Sequence, residues 1–168
     1  YEQLFKETDE IVSIHVTSRH SAVMQSAIIG RDIAIKKDRK IEVIDSRGLT
    51  MWQGLVAIAA AEAASAGANL AEVVARASKV ISNIHGMGLL ESLKYAIKGG
   101  RLGSTLEKVE SILKVKSLIT CHDGRIKPAG LVRSKEQGIE RLIAFIKNIP
   151  DLKRVAVIYN TNPDDAQK

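Results

Sequence analysis

The stretch Ile11 to Ala27, IVSIHVTSRHSAVMQSA, decides how the rest of the chain is read. Ile11, Ile14 and Val16 form a short apolar, β-branched run, the mark of a buried strand. Thr17-Ser18-Arg19-His20-Ser21 is polar, and from Met24 to Ile35 apolar residues return at helical spacing. This is strand, polar loop, helix. In an open α/β sheet, ligands bind at the loops that follow the carboxyl ends of the strands. The loop carries hydroxyls at Thr17, Ser18 and Ser21 beside Arg19 and His20, ahead of a helix N-terminus that favours an anion. A structural role is open to the same residues, with Ser18 or Ser21 acting as the helix N-cap. Ser18 near His20 also resembles a nucleophile beside a base. Their two-residue separation and the lack of an orienting carboxylate nearby in sequence argue against that chemistry.

Working outward, Ile41 to Ile44 is a second strand, and it too ends in polar residues, Asp45-Ser46-Arg47-Gly48. Two strands joined by a helix make a right-handed parallel unit, so both loops should leave the same edge of the sheet. A helix from Met51 or Trp52 to about Ala66, stopped by Gly67, is apolar almost all round and should be buried. Asn69 with Glu72 has capping-box spacing. Leu70, Val73, Val74, Ala77 and Ile81 mark the inner face of the helix that follows. Upstream, residues 1 to 8 resemble the tail of a helix with Leu4 and Phe5 on its apolar side.

From Ile84 to Leu90 the pattern loosens. We expect a boundary there, with residues 1–83 part of an N-terminal α/β domain and 84–168 part of a C-terminal one. Leu89 to Lys98 forms a short helix ended by Gly99-Gly100. Ser104 and Glu107 resemble a further capping box, followed by a stripe of Leu106, Val109 and Leu113. Val115–Cys121 and Ile126–Val132 read as strands joined at the hairpin signal Asp123-Gly124, with Pro128 placing the second at an edge. Ser134 caps a helix facing inward with Ile139, Leu142, Ile143 and Ile146, and Pro150 ends the region. Val155 to Tyr159 is a last β-rich strand, and Asn162-Pro163 opens a helix. The fold class expected is α/β: a parallel sheet flanked by helices, plus a second, smaller α/β unit with an antiparallel hairpin. A helix tail at the start and a helix opening at the end suggest a middle portion of a longer chain.

The composition narrows the function. The net charge is +6, and its densest cluster, Arg31 to Lys40, is interrupted by Asp32 and Asp38, as on a solvated helix face. Aromatic residues make up only 4%, which removes the stacking platform that single-stranded nucleic acid needs. A single cysteine, Cys121, excludes an intramolecular disulfide, suits the cytoplasm and packs as a small hydrophobe. The longest apolar stretch, Leu55 to Ala64, is too short to span a membrane. The four histidines lack zinc-site spacing, and no nucleophile elbow, P-loop or dinucleotide fingerprint occurs. We therefore expect no metal, no cofactor and no catalytic residue. Lys98-Gly99-Gly100-Arg101 has two readings. One is a helix C-cap with cations complementing the dipole; the other is a cationic edge for an anion or an acidic partner, to which Arg133 and Arg125 add.

Five stretches together resemble the DegV family of bacterial fatty-acid-binding proteins. Thr17 to Ala27 is similar to the family's Ser-Ser-x-Leu-Ser-Gly-Thr-Tyr-Gln-Ser-Ala, and Val43 to Met51 to its Val-Ile-Asp-Ser-x-x-x-x-Met. Leu93 to Leu102 resembles Leu-x-Tyr-x-x-Lys-Gly-Gly-Arg-Ile, Lys116 to Gly124 resembles Lys-Pro-x-Leu-x-x-x-Asp-Gly, and Val132-Arg133-Ser134 resembles Val-Arg-Ser. Each match alone is weak; five in family order, from about Ile11 to Tyr159, are specific. The resemblance implies two α/β domains with a long-chain fatty acid in a tunnel between them. It implies a carboxylate held by loop hydroxyls, Ser18 by position, with Thr17 and Ser21 beside it. It implies a carrier that presents the fatty acid to a fatty acid kinase for acyl-phosphate formation, in the cytoplasm, with no nucleic acid partner and no stable membrane insertion. Arg101, Lys98 and Arg133 would then form the docking edge. Ala22-Val23 departs from the family's Gly-Thr, and His20 replaces an apolar residue. Arg19-His20 thus either strengthens the anion site or serves another ligand. Two other functions fit less well: a small kinase or phosphotransferase subunit taking a hydroxylated small molecule, and a basic nucleic-acid module.

Overall fold

The computed structural model describes residues 1–35, 39–101 and 116–160. The Ser104–Glu107 box, the stripe after it and the Asn162-Pro163 helix start lie outside these residues.

The opening stretch folds as read. Strand β1 (Glu10–His15) and strand β2 (Lys40–Asp45) pair in parallel, in register from Glu10 opposite Lys40 to His15 opposite Asp45. Helix α1 (Val23–Ala34) connects them. Side chains alternate across this pair, as strand geometry requires. On one face Ile11 and Ile41 pack with Phe5 and Ala34. On the other, Val12, Ile14 and Ile44 pack against helices α2 (Met51–Ser65) and α3 (Leu70–Asn83). The seam between the two helices is Val56, Ala60, Val73 and Ala77, with Val56 and Ala77 wholly buried. Alanines there let the helix axes approach closely. Asn69 and Glu72 form the capping box in full, each side chain taking the other's backbone N–H.

Helix α2 is only half buried, contrary to its all-round apolar sequence. Ala57, Ala61 and Ala64 are exposed, and Ile58 is 39% exposed. One face reaches α3 and the sheet; the outer face is alanine, a strong helix former that loses little by facing water. Residues 1 to 8 contain a single 3₁₀ turn, Leu4–Lys6, with Phe5 buried and Leu4 half exposed.

The second sheet is antiparallel, in the order β3 (Met87–Leu90), β4 (Lys116–His122), β5 (Arg125–Val132). The sequence missed β3 and assigned Leu89 and Leu90 to a helix; the helix, α4, is only Lys94–Lys98. Pairing with β4 overrides the weak strand propensity of Met-Gly-Leu-Leu. Pro128 is on the edge strand as expected. The register shifts beside it, between Leu118 and Ile119, where a residue without an N–H is tolerated. Ser134 caps helix α5 (Lys135–Lys147) through the Gln137 N–H. The helix meets β3 at Gly138, where a Cβ would come within 2.5 Å of the Leu89 side chain. Val155 to Tyr159 is not a strand: it joins neither sheet, and Val157 is 62% exposed. A β-rich run needs a neighbour to pair with, and among the described residues it has none.

Candidate functional site

The parallel register sets the carboxyl ends of β1 and β2 side by side, and both loops leave the same edge, as expected. The Ser46 N–H donates to the His15 carbonyl at 3.0 Å and the Thr17 N–H to the Gly48 carbonyl at 2.9 Å. The β4–β5 hairpin turn comes to rest on these loops. Thr17 Oγ1 donates to the Gly124 carbonyl at 2.9 Å and accepts the Arg19 N–H at 3.2 Å. The Ile126 N–H donates to His20 Nε2 at 3.0 Å. Cys121 Sγ donates to the Arg47 carbonyl at 3.5 Å, and burial pushes the Cys121 thiol up. Arg47 Nη1 lies 2.9 Å from Asp123 Oδ1, an exposed pair worth little by itself.

The three loop hydroxyls therefore have different environments. Thr17 is fully buried, and its hydroxyl joins the first sheet's loop to the hairpin. Ser18 is exposed; its Oγ donates to Asp45 Oδ2 at 2.6 Å and its N–H to the same oxygen at 3.1 Å. Asp45 Oδ1 takes the Arg47 N–H at 2.7 Å. Ser21 Oγ accepts the Val23 N–H at 3.3 Å. Neither Ser18 nor Ser21 is the N-cap of α1; Ala22 is, with no side-chain cap bond. Ser18 does have an orienting carboxylate, from the neighbouring strand twenty-seven residues on. Sequence reasoning missed it, although the expectation that both loops share an edge already placed Asp45 beside Ser18.

His20 is a strap rather than an anion ligand. Burial, then the nearby Arg125 and Arg101 charges, hold its imidazole below the usual histidine value. The neutral ring accepts the Ile126 N–H; the protonated ring cannot. The stability contributed by neutral His20 is thus fully present above the ordinary pKa and lost as pH falls through the folded one. We expect the melting temperature to drop between about pH 7 and pH 5, and to drop less in His20→Leu. Equal drops in the two proteins would remove His20 from the junction.

Arg101 lies near enough to His20 to depress it, and its guanidinium donates to the Gly99 carbonyl at the end of α4. Lys98 is exposed in the last turn of α4. Arg133 is exposed at the far end of β5 from Arg125, roughly 25 Å away along an extended strand. The structure brings Arg101 and Arg125 to the hairpin side of the junction and leaves Arg133 beside the start of α5. A cleft of about 490 Å³ lies elsewhere, walled by Val12, Ile14, Ala57, Ala60 and Val73. Among the described residues no group of His, Cys, Asp and Glu is arranged to hold a metal, and no helix is long and apolar enough to cross a membrane.

The family model described as an uncharacterised protein of the DegV family matches residues 1–168. The chain belongs to the DegV family. A DegV domain-containing protein of Caldanaerobacter subterraneus is 38% identical over 148 residues, 88% of this chain and 52% of that protein. One from Clostridium acetobutylicum is 33% identical over 84% of this chain and 50% of the relative. The chain thus spans about half the length of these curated relatives. The solved structure of a fatty-acid-binding DegV family protein from Streptococcus agalactiae superposes with a TM-score of 0.84 at 20% identity, over 98% of this chain and 59% of that one. DegV from Bacillus subtilis, described as a fatty acid binding protein, gives 0.75 at 26% identity, over 88% and 52%. These DegV folds bear out the α/β class, with one parallel and one antiparallel sheet flanked by helices.

Proposed function

We propose that this DegV chain is part of a carrier that binds a long-chain fatty acid, with the acyl head group at the Thr17–Ser21 loop. The carrying observation is Ser18: it is an exposed hydroxyl, held by Asp45, at the carboxyl edge of a parallel strand pair. The description of the Bacillus subtilis relative as fatty-acid binding supports the ligand class. Thr17, being buried, positions the loop, and Ser21, three residues on from Ser18 in the same loop, is a further head-group partner. Burying an acyl chain is worth roughly 0.8 kcal/mol per CH₂, so aliphatic walls suffice for affinity and the polar loop sets orientation. Residues 1–83 and 84–168 act as two lobes about this junction. The protein works in the cytoplasm as a carrier without turnover, and presents the fatty acid to a kinase that forms the acyl phosphate.

The test is a fluorescent fatty-acid titration of the full-length protein and its Ser18→Ala variant. Loss of one net hydrogen bond should weaken binding about fivefold with little change in melting temperature. An unchanged dissociation constant removes Ser18 from the head-group site. Arg101 belongs to the docking edge in this proposal. Arg101→Ala should slow acyl-phosphate formation in a reconstituted kinase assay while leaving fatty-acid affinity intact, since rim charges act on association. A normal rate with a lowered melting point would leave Arg101 as a helix-end charge only.

A further inference from the structure

We infer that His20 is an acid-released latch on the ligand site: its neutral ring holds the β4–β5 hairpin against the Thr17–Ser21 loop, and protonation frees that loop and speeds release of the acyl ligand. The inference rests on the fatty-acid reading above, which puts the head group on this loop. Ser18 and Arg19 lie between two residues that the hairpin holds. Before them, Thr17 Oγ1 donates to the Gly124 carbonyl at 2.9 Å; after them, His20 Nε2 accepts the Ile126 N–H at 3.0 Å. The position of Ser18 thus depends on the hairpin staying seated at both points. The Thr17 hold joins a hydroxyl to a carbonyl and has no titrating partner. The His20 hold has one. A backbone N–H only donates, so Nε2 offers its lone pair and the neutral ring carries its proton on Nδ1. A protonated ring has donors at both nitrogens, and the Ile126 N–H then faces a donor.

Nearby charges reinforce the switch. Arg125, next to Ile126 on β5, and Arg101, after α4, both oppose a proton on the ring, and burial acts in the same direction. Arg125 is on the hairpin itself, so the charge that breaks the bond also pushes the strand away. The other charged and titratable groups on the elements that meet here have separate engagements. Arg47 and Asp123 pair at 2.9 Å, Asp45 is bonded by Ser18 and the Arg47 N–H, and Cys121 donates to the Arg47 carbonyl. Arg19 on the same loop, Lys127 beside Ile126 and His122 opposite Arg125 complete the set. Among these side-chain types histidine is the one that ordinarily changes charge between about pH 5 and pH 8. The latch is closed above the ordinary histidine value and lost as pH falls through the lowered value of the folded protein. A ligand that binds the latched loop more tightly than the free one lowers the proton affinity of His20, and a proton on His20 weakens the ligand by the same factor.

The experiment follows release of a dansyl-labelled fatty acid from the full-length protein by stopped flow, with excess palmitic acid as trap, at about pH 7.5 and about pH 5.5. Release from the unaltered protein should be about fivefold faster at the lower pH, the effect of losing one net hydrogen bond. His20→Gln keeps an acceptor for the Ile126 N–H that does not titrate, and its release should stay slow and change by less than about twofold. His20→Leu has no acceptor and should release fast at both pH values. The Gln variant retains every other titrating group, the ligand's carboxylate and His122 included. Equal acceleration in it and in the unaltered protein would therefore overturn the inference. A second measurement needs no variant: NMR titration of the His20 ring in the empty and the palmitate-loaded protein. The ring should titrate lower in the loaded protein by about half a unit. Identical titrations would overturn the inference and leave fatty-acid binding standing, and they decide the matter should the variants fail to fold. Failure of the labelled fatty acid to bind at neutral pH would overturn both.

Discussion

Gly124→Ala should lower unfolding stability by about 2–4 kcal/mol, far more than an ordinary hairpin-turn substitution. Gly124 has φ +75° beside Asp123 at φ +49°, the pair of left-handed residues that a tight hairpin turn needs. A side chain in that conformation costs about 1–2 kcal/mol. A Cβ would also lie 2.3 Å from Thr17 Oγ1 and 3.3 Å from Thr17 Cβ. Thr17 has no exposed surface and cannot step aside, so the hairpin must lift. Lifting it breaks the Thr17–Gly124 bond and strains the Ile126–His20 bond, each worth about 1 kcal/mol. Gly67→Ala is the control: φ is +87°, but nothing lies within 4 Å of the added carbon, so only the backbone cost applies. Urea unfolding of both variants checks this. Equal losses would mean that the hairpin does not press on the Thr17 loop.

Leu118→Ala should cost about 2–5 kcal/mol, the range for emptying a packed leucine site. Leu118 is 2% exposed in the middle strand of the second sheet. Its neighbours cannot collapse inward freely, because β4 is paired on both sides and the register shift with β5 begins at this residue. Leu131, on the adjacent edge strand, is 56% exposed, and Leu131→Ala should stay within about 0.5 kcal/mol. Thermal melts of the pair give the contrast directly; similar losses would place the sheet's buried face on the wrong side.

Several elements were legible because one local signal decided them. The strand, loop and helix from Ile11 to Ala34, the Asn69–Glu72 box, the Asp123-Gly124 turn and the Ser134 cap are of this kind. Strand β3 was not, because Met-Gly-Leu-Leu has no β-branched residue and becomes a strand only through β4. The converse error was Val155 to Tyr159, where strong propensity has no partner among the described residues. Periodicity also misjudged α2, because alanine reads as apolar on both its buried and its exposed face. The site divided in the same way. That a hydroxyl-rich loop stands at the sheet edge follows from the pattern. Which hydroxyl is sealed and which is open does not, because Thr17 and Ser18 are adjacent and of similar chemistry. Only the hairpin, more than a hundred residues away in sequence, separates them. His20 likewise looked like an added cation until its ring nitrogen proved to hold the Ile126 N–H.

Native mass spectrometry of the full-length protein purified from bacteria, with and without Ser18→Ala, tests the fatty-acid proposal most directly. The expected spectrum shows the protein carrying one long-chain fatty acid, with occupancy reduced in the variant. A protein that arrives without any acyl ligand, and takes none up when palmitic acid is added, would contradict it.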